Sequence, residues 1–225
     1  MRKLNSRLLL RMRILIDNGK AFELYERYPS HIGIFFSANY PRWSGAEYPF
    51  AMDNGAFASW QRGEPWDESN FIVALEKIKQ NNFQPEFVVC PDAVGSHEET
   101  IKLWHQWHDR IKEYGVRVAF VAQDGCRRAE VPSDADYLFI GGTTDYKLKA
   151  IREFSGFRIP VHVGRVNTSG RLWLCHNYGA TSVDGTGWFR GDKVQEQGLY
   201  DYLSIASGEF DKLPGSLFNP FSYIK

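Results

Sequence analysis

The sequence predicts a single-domain α/β protein with the architecture of a (β/α)8 TIM-type barrel. Short apolar runs recur along the chain, and most are nearly continuous in hydrophobicity, as in strands that are buried on both faces. Helical patterns separate the later runs, and repeated strand–helix units imply parallel strands with right-handed crossovers. No GxGxxG turn is present, which favours a barrel over a dinucleotide-binding fold.

The strands and helices follow in order. The predicted strands are 31–36, 48–52, 86–90, 116–122, 137–140, 159–163 and 180–183. The predicted helices lie near 67–81, 97–114, 145–154, 168–178 and 193–205. Ser96 and Glu99 form an S-x-x-E capping box at the start of the second of these helices. No eighth strand is evident, and 225 residues fall below the roughly 250 typical of such barrels, so we expect a trimmed or irregular barrel.

Residues 1–225 are expected to form one domain, in which 1–30 is an N-terminal helical segment packed on the barrel. The basic stretch "MRKLNSRLLLRMR" has only Leu8 to Leu10 as an apolar run, which is too short for a signal peptide or a membrane span. It fits an amphipathic surface helix or an arm that touches phosphate. No membrane partner is expected.

Composition limits the partners of the protein. Lys and Arg together number 27 and equal Asp plus Glu, so a nucleic-acid partner requires a local basic patch. Aromatic residues make up 15% of the chain, which allows exposed stacking surfaces. The three cysteines are widely spaced and form no CxxC pair, which argues against a disulfide framework and a zinc knuckle and favours a cytoplasmic location.

Polar and glycine residues follow six successive predicted strands. These positions are Asp53, Asp92, Gln123, Gly141-Gly142, Arg165 and Asp184. Any single Asp could be a helix N-cap. The carboxyl ends of barrel strands meet at one face, however, so the whole set predicts a functional site there.

The residue types at this rim suit the cleavage of a glycosidic bond. One carboxylate can attack the anomeric carbon or stabilise an oxocarbenium ion, while a second transfers protons. A third acid, a Gln and bare glycine amides suit hydrogen bonding to a planar base.

Six motifs in this order resemble the tRNA-guanine transglycosylase superfamily. They are "MDNGAF" (52–57), "CPDAVG" (90–95), "VAQDG" (121–125), "FIGGT" (139–143), "HVGRVNT" (162–168) and "GATSVDGTG" (179–187). The chain is most similar to the short DNA-acting branch, which comprises 7-deazapurine DNA transglycosylases of phages and bacteria and related anti-phage DNA glycosylases. The similarity spans roughly 48–190.

The resemblance implies a role for each matching residue. Asp53 corresponds to a general acid/base, and Asp184 to the nucleophile that forms a covalent sugar–enzyme intermediate. The positions that correspond to base contacts are Asp92, Gln123, Gly141 and Gly142, with Phe57 beside the base. The zinc-binding Cys/His cluster and the C-terminal RNA-binding extensions of the tRNA enzymes are absent from the sequence, and Asn54-Gly55-Ala56 replaces the bacterial Gly-Gly.

The loop 185–193 and nearby arginines are candidates for DNA contacts. Aromatic and basic residues alternate there, so Trp188, Arg190 and Lys193 suit a flipped or single-stranded nucleotide. The alternative is a barrel-closing loop whose aromatics pack inward. Arg165 directly follows a strand and is expected to touch substrate, and Arg127, Arg128 and Arg171 are expected near the same rim.

The histidines permit further alternatives. His105 and His108 have helical i, i+3 spacing that could bind a metal, but no third ligand is nearby, which favours a helix surface. His162 lies within "VHV", where a core histidine is favoured over a catalytic one.

The sequence therefore predicts an enzyme that cleaves the N-glycosidic bond of a nucleobase in DNA. It would either excise the base or exchange it for a free 7-deazapurine. The alternatives are action on tRNA and a non-catalytic nucleic-acid-binding barrel. The proposed chemistry uses carboxylates, so it implies no cofactor and no metal.

Overall fold

The computed structural model describes residues 12–17, 19–40 and 46–209, and these form a closed barrel of eight parallel strands. Each strand pairs with its neighbours in chain order, and β1 pairs with β8 to close the sheet. The strands are β1 (Arg13–Ile16), β2 (Ile32–Ser37), β3 (Phe50–Asp53), β4 (Val88–Val89), β5 (Val118–Ala122), β6 (Tyr137–Ile140), β7 (Val161–Val163) and β8 (Ser182–Asp184). The predicted (β/α)8 barrel is confirmed, and all eight strands are present rather than the trimmed set that the sequence suggests.

Helices follow most of the strands. They are α1 (Lys20–Arg27), α2 (Ala56–Arg62), α3 (Glu68–Gln80), α4 (His97–Lys112), α5 (Thr144–Glu153), α6 (Ser169–Asn177) and α7 (Lys193–Ala206). The N-termini of helices α3 to α7 are capped by side chains that accept hydrogen bonds from backbone N–H groups. Ser96 caps α4 in this way, as its motif predicts. The predicted helices at 67–81, 97–114, 145–154, 168–178 and 193–205 are confirmed to within a few residues.

The strand that the sequence did not reveal is β1. It occupies Arg13–Ile16, inside the segment 1–30 that was predicted to be helical, and of the described part of that segment only Lys20–Arg27 is helical. The run "RILI" is short and follows a basic stretch, so its pattern did not stand out as a strand. Residues 1–11, where the amphipathic helix was predicted, lie outside the described residues.

The side chains inside the barrel alternate with those facing the helices, because successive residues of a strand point to opposite faces. Leu15, Ala51, Phe87, Ala119 and Tyr137 fill the inner core. The larger outer core lies between the strands and the helices and contains Trp104 and Trp107, which are fully buried. The strands are therefore packed on both faces, by the inner core and by the outer core. This packing fixes the positions of the side chains at their carboxyl ends. None of the described helices is long and apolar enough to cross a membrane.

Candidate active site

A cavity of about 630 Å³ opens at the carboxyl ends of the strands. Its lower walls are apolar and include Phe35, Val89, Val121 and Phe139. Nine of the sequence-predicted site residues line it: Asp53, Phe57, Asp92, Gln123, Gly141, Gly142, Arg165, Asp184 and Arg190. The structure thus brings together residues from six strand ends, around a space of the size that binds small molecules.

Asp53 is the last residue of β3, and it faces inward because it lies two positions after the inner-core residue Ala51. The chain turns sharply after it. Gly55 has a φ of +81°, a Cβ there would lie 2.6 Å from the side chain of Asn39, and its N–H donates to Asp53 Oδ2 across 3.1 Å. The Asn54-Gly55 turn therefore fixes the carboxyl group at the base of the cavity.

Burial in this position raises the pKa of Asp53 to about 7, and the negative charges of Asp92 and Asp184 add to the effect. One face of the carboxyl group still borders the cavity. A carboxyl group that titrates near neutrality can both donate and accept a proton, which suits a general acid/base.

Asp184 ends β8 and is held by N–H groups on two sides. Its Oδ1 accepts a hydrogen bond from His162 Nε2 at 3.0 Å, and both of its oxygens lie 3.2 Å from the backbone nitrogen of Arg165. His162 is fully buried inside the barrel, and its Nδ1 lies 2.8 Å from Ser182 Oγ. With Nε2–H directed at the carboxylate, Nδ1 accepts from the Ser182 hydroxyl. These donors stabilise the negative charge of Asp184 and orient it.

Asp92 belongs to a network of side-chain amides. Asn54 Nδ2 donates to its Oδ1 at 2.7 Å, and Gln123 Nε2 donates to its Oδ2 at 2.6 Å. Asn54 also donates to the Cys90 carbonyl at 2.7 Å, and Gln123 Oε1 accepts from Gly95 N–H at 2.9 Å. Burial raises the pKa of Asp92, whereas these amides and Arg165 oppose that rise. These two hydrogen bonds fix the orientation of the Asp92 carboxyl group at the cavity wall.

Gly141 and Gly142 differ in what their amides can offer. The Gly141 N–H donates to the Ala122 carbonyl at 2.9 Å, as part of the barrel ladder. Gly142 lines the cavity, and its N–H has no hydrogen-bond partner among the described residues, which leaves this amide available to a ligand oxygen. A side chain at Gly142 would lie 2.4 Å from Asp124 and would require a φ of +76°, so only glycine fits.

Arg165 and Phe57 meet across the mouth of the cavity. The guanidinium carbon lies 3.9 Å from the centroid of the Phe57 ring, and Nη2 donates to the Gly142 carbonyl at 2.8 Å. Arg165 has a φ of +56°, an uncommon conformation for a residue with a side chain. Trp60, which is 59% exposed, stacks on Phe57 with ring centroids 5.7 Å apart. Phe57 therefore contacts both a half-buried arginine that lines the cavity and an exposed tryptophan.

Of the three residues in the loop 185–193 that were predicted to contact DNA, only Arg190 lines the cavity. Arg190 lines the cavity and donates to Thr186 Oγ1 at 2.7 Å. Trp188 is fully buried, because the short turn Gly187–Phe189 lies against α7 and directs the indole inward, so its assignment as a stacking residue is wrong. The alternative of an inward-packing loop describes it correctly. Lys193 is exposed, pairs with Glu196 at 2.6 Å and does not line the cavity.

The other arginines expected at the rim lie outside the cavity lining. Arg127 pairs with Glu130, and Arg128 donates to the carbonyls of Glu153 and Ser155. Arg171 lines a small recess behind Arg165. These three arginines therefore do not line the main cavity, and the charge of Arg127 is paired with Glu130.

Several residues of the site were not identified from the sequence. Asp17 follows β1 and lines the cavity, where burial and the charge of Asp184 raise its pKa. The sequence pattern does not identify β1, so it does not place Asp17 at a strand end either. Tyr40, which is 67% exposed, borders the cavity after β2. The sequence favours a core position for His162, and its contact with Asp184 arises only because β7 and β8 are neighbours in the sheet.

No group of three potential metal ligands occurs within residues 12–17, 19–40 and 46–209. His105 is exposed on α4, while His108 is buried and stacks on Trp104 at 4.5 Å, so the two do not share a surface. The three cysteines are buried free thiols. A comparison of the sequence with protein-family models and with curated proteins found no match.

Proposed function

We propose that the protein cleaves the N-glycosidic bond of a nucleobase in DNA, with Asp184 as nucleophile and Asp53 as general acid/base. The observation that carries this proposal is the pairing of two carboxyl groups in contrasting surroundings within one cavity. Asp184 receives hydrogen bonds from N–H donors, whereas burial and neighbouring acids raise the pKa of Asp53 to about 7. In enzymes that cleave glycosidic bonds, two carboxyl groups in such different surroundings typically act as nucleophile and as general acid/base.

The reaction proceeds in two displacements. A carboxylate oxygen of Asp184 attacks C1′ of the deoxyribose, the bond between C1′ and the base nitrogen breaks, and protonated Asp53 supplies a proton to the departing base. The product of this step is a sugar ester of Asp184. Asp53, now a carboxylate, then accepts a proton from the second nucleophile as that nucleophile displaces Asp184 from C1′.

The second nucleophile determines the outcome. Water gives excision and an abasic site, while the ring nitrogen of a free 7-deazapurine gives base exchange. The same residues serve both reactions.

The cavity offers complementary partners for a base edge. The Asp92 carboxylate accepts from ring N–H or amino groups, and the Gly142 N–H donates to an exocyclic oxygen. Phe57 and the apolar lower walls suit the faces of the ring. Because the base must leave the helical stack to reach this depth, a single-stranded, mispaired or modified nucleotide is the preferred substrate.

The side chains around the mouth of the cavity favour a nucleic acid over a free nucleoside as the substrate. Tyr40 and Trp60 are exposed, and Arg165 and Arg190 border the same opening, so flanking bases and phosphates have partners. The choice of DNA over tRNA follows the resemblance of the ordered motifs to the DNA-acting branch of the transglycosylase superfamily.

The test compares single-stranded DNA, mismatched duplex DNA and tRNA as substrates, each with and without a free 7-deazaguanine. Mass spectrometry of released bases and of digested nucleosides separates excision from exchange. We expect base release from DNA by the unaltered protein, and loss of more than a thousandfold in Asp184→Ala and Asp53→Ala. Asp109→Asn is the matched control, since the Asp109 side chain is 96% exposed on α4 and does not line the cavity.

Three outcomes contradict the proposal in distinguishable ways. Unchanged base release by both Ala variants means that these acids do not perform the chemistry. Reaction with tRNA alone replaces DNA by RNA as substrate. Tight DNA binding without any released or exchanged base favours a non-catalytic barrel.

A further inference from the structure

Lys147 is a buried cation that the proposed reaction does not use directly. It lies on α5, is 7% exposed, and forms no ion pair with a described carboxylate. Its ammonium group donates to the Gly164 carbonyl oxygen at 2.8 Å. Burial of a charged amine is costly, so a position that required only packing would be better filled by an apolar side chain.

The peptide that Lys147 contacts is the same peptide that binds Asp184. The carbonyl of Gly164 and the N–H of Arg165 belong to one amide group, and that N–H lies 3.2 Å from each oxygen of Asp184. A cation bound at the carbonyl end of an amide polarises it and strengthens its N–H as a donor. The three groups therefore form a continuous chain from ammonium through amide to carboxylate.

We propose that Lys147 is a positioning residue, which acts on the nucleophile Asp184 through the Gly164–Arg165 peptide. This inference rests on the proposed function, because it gives Lys147 a role in orienting and stabilising the attacking carboxylate. Lys147 itself touches neither the base nor the sugar.

The local backbone supports this role. Arg165 adopts a φ of +56°, and such conformations persist only where surrounding contacts impose them. The bond from Lys147 to Gly164 and the bond from Arg165 Nη2 to Gly142 hold this turn on both sides. A Cβ at Gly164 would lie 2.6 Å from the Phe139 ring, so the peptide is also fixed from inside the barrel.

The charged and titratable groups around Lys147 come from α6, the β7 turn and β8. They are Arg171, Cys175, Arg165 and Asp184. Burial, together with the charge of Arg165, lowers the pKa of Lys147 to about 8, and Asp184 opposes this change. Cys175 has a pKa raised to about 12 and stays uncharged in the same range. The ammonium is therefore present below pH 8 and lost above it.

The test measures single-turnover base release by Lys147→Met and Lys147→Gln. The first variant keeps the approximate shape and removes both charge and donor, and the second keeps a donor without charge. We expect about a tenfold lower rate for Lys147→Met, a smaller loss for Lys147→Gln, and unchanged affinity for the DNA substrate. Lys149→Met is the matched control, because Lys149 is an exposed residue of the same helix.

The pH profile separates positioning from a merely structural role. In the unaltered protein we expect an additional fall in rate above pH 8, and this limb is absent from Lys147→Met. A structural role lowers the rate by the same factor at every pH and leaves the limb in place, which overturns the inference. Equal rates in Lys147→Met and the unaltered protein also overturn it, while absence of base release from the unaltered protein overturns the proposed function itself. If Lys147→Met does not fold, Lys147→Gln carries the same comparison.

Discussion

His162 lies directly beneath Asp184, with 3.0 Å between its Nε2 and the carboxylate Oδ1 of Asp184. The imidazole is fully buried among the rings of Phe35, Phe87 and Phe139, and its only polar neighbours among the described residues are Asp184 and Ser182. Burying a polar ring in an aromatic interior is unfavourable unless both nitrogens are satisfied. The arrangement gives the proposed nucleophile a fixed donor from inside the barrel.

Replacing His162 tests the value of this donor. His162→Leu removes it and is expected to lower the rate of base release by about tenfold to a hundredfold, with unchanged oligonucleotide affinity, since the side chain does not reach the substrate. His162→Gln retains a donor and should recover part of the rate. Single-turnover kinetics and thermal unfolding of both variants provide the measurement. Equal rates in the two variants at equal stability would indicate that His162 only fills space.

The raised pKa of Asp53 predicts how activity depends on pH. Because the proposed first displacement needs protonated Asp53, base release should fall as pH rises through about 7. Rapid-quench measurement of the covalent step from pH 5 to 9 tests this. A rate that is independent of pH across this range would remove Asp53 from the role of general acid.

Asp53 should also lower the stability of the fold near neutral pH. Its pKa is 3.8 in the unfolded chain and about 7 in the folded protein, so the folded state binds more protons between these values. Stability is therefore lost as pH rises from about 4 to 7. We expect the free energy of unfolding of Asp53→Asn to exceed that of the unaltered protein by on the order of 4 kcal/mol at pH 8, with little difference at pH 4.

Urea denaturation of Asp53→Asn and of the Asp109→Asn control at both pH values measures this effect. Asp109 is exposed and pairs with His108 at 2.9 Å, so Asp109→Asn removes no buried charge and should not stabilise the fold at pH 8. A destabilised Asp53→Asn at pH 8 would mean that the Gly55 hydrogen bond outweighs the cost of burying the charge.

The fold and nine residues of the cavity lining were predictable because they depend on local patterns. Seven of the strands follow apolar runs, and the positions after them include the acids Asp53 and Asp184. The strand β1 was not predictable from its four residues, and Asp17 was lost with it. Burial of Trp188 was not predictable either, since an aromatic residue among basic ones reads equally well as a stacking surface or as a packed turn.

Contacts between distant residues account for the rest. His162 and Asp184 are 22 positions apart and meet only because β7 and β8 are neighbours in the sheet. Lys147 would be assigned to a helix surface by its residue type, and its burial against Gly164 depends on how α5 packs on the barrel. Contacts between residues this far apart in the chain depend on the tertiary structure, so no local sequence pattern predicts them.

Trp60 is an exposed aromatic residue that, under the proposed function, stacks on a nucleotide next to the target. It is 59% exposed, stacks on Phe57, and lies on α2 immediately beyond the Asp53 turn. Stacking on an aromatic side chain is worth about 1 to 3 kcal/mol per base. We therefore expect Trp60→Ala to weaken the binding of single-stranded oligonucleotides by about tenfold, while Trp60→Phe retains most of the affinity.

The matched control for this prediction is Val73→Ala, which shortens another exposed apolar side chain, on α3 and outside the cavity lining. Fluorescence anisotropy with labelled oligonucleotides measures the affinity, and a mononucleoside competitor shows whether the target pocket is intact. Trp60→Ala should leave mononucleoside binding unchanged, because the indole stacks outside the base pocket. Loss of mononucleoside binding would instead show that Trp60 supports Phe57 within the pocket. Unchanged oligonucleotide affinity would show that the surface around Trp60 does not contact DNA.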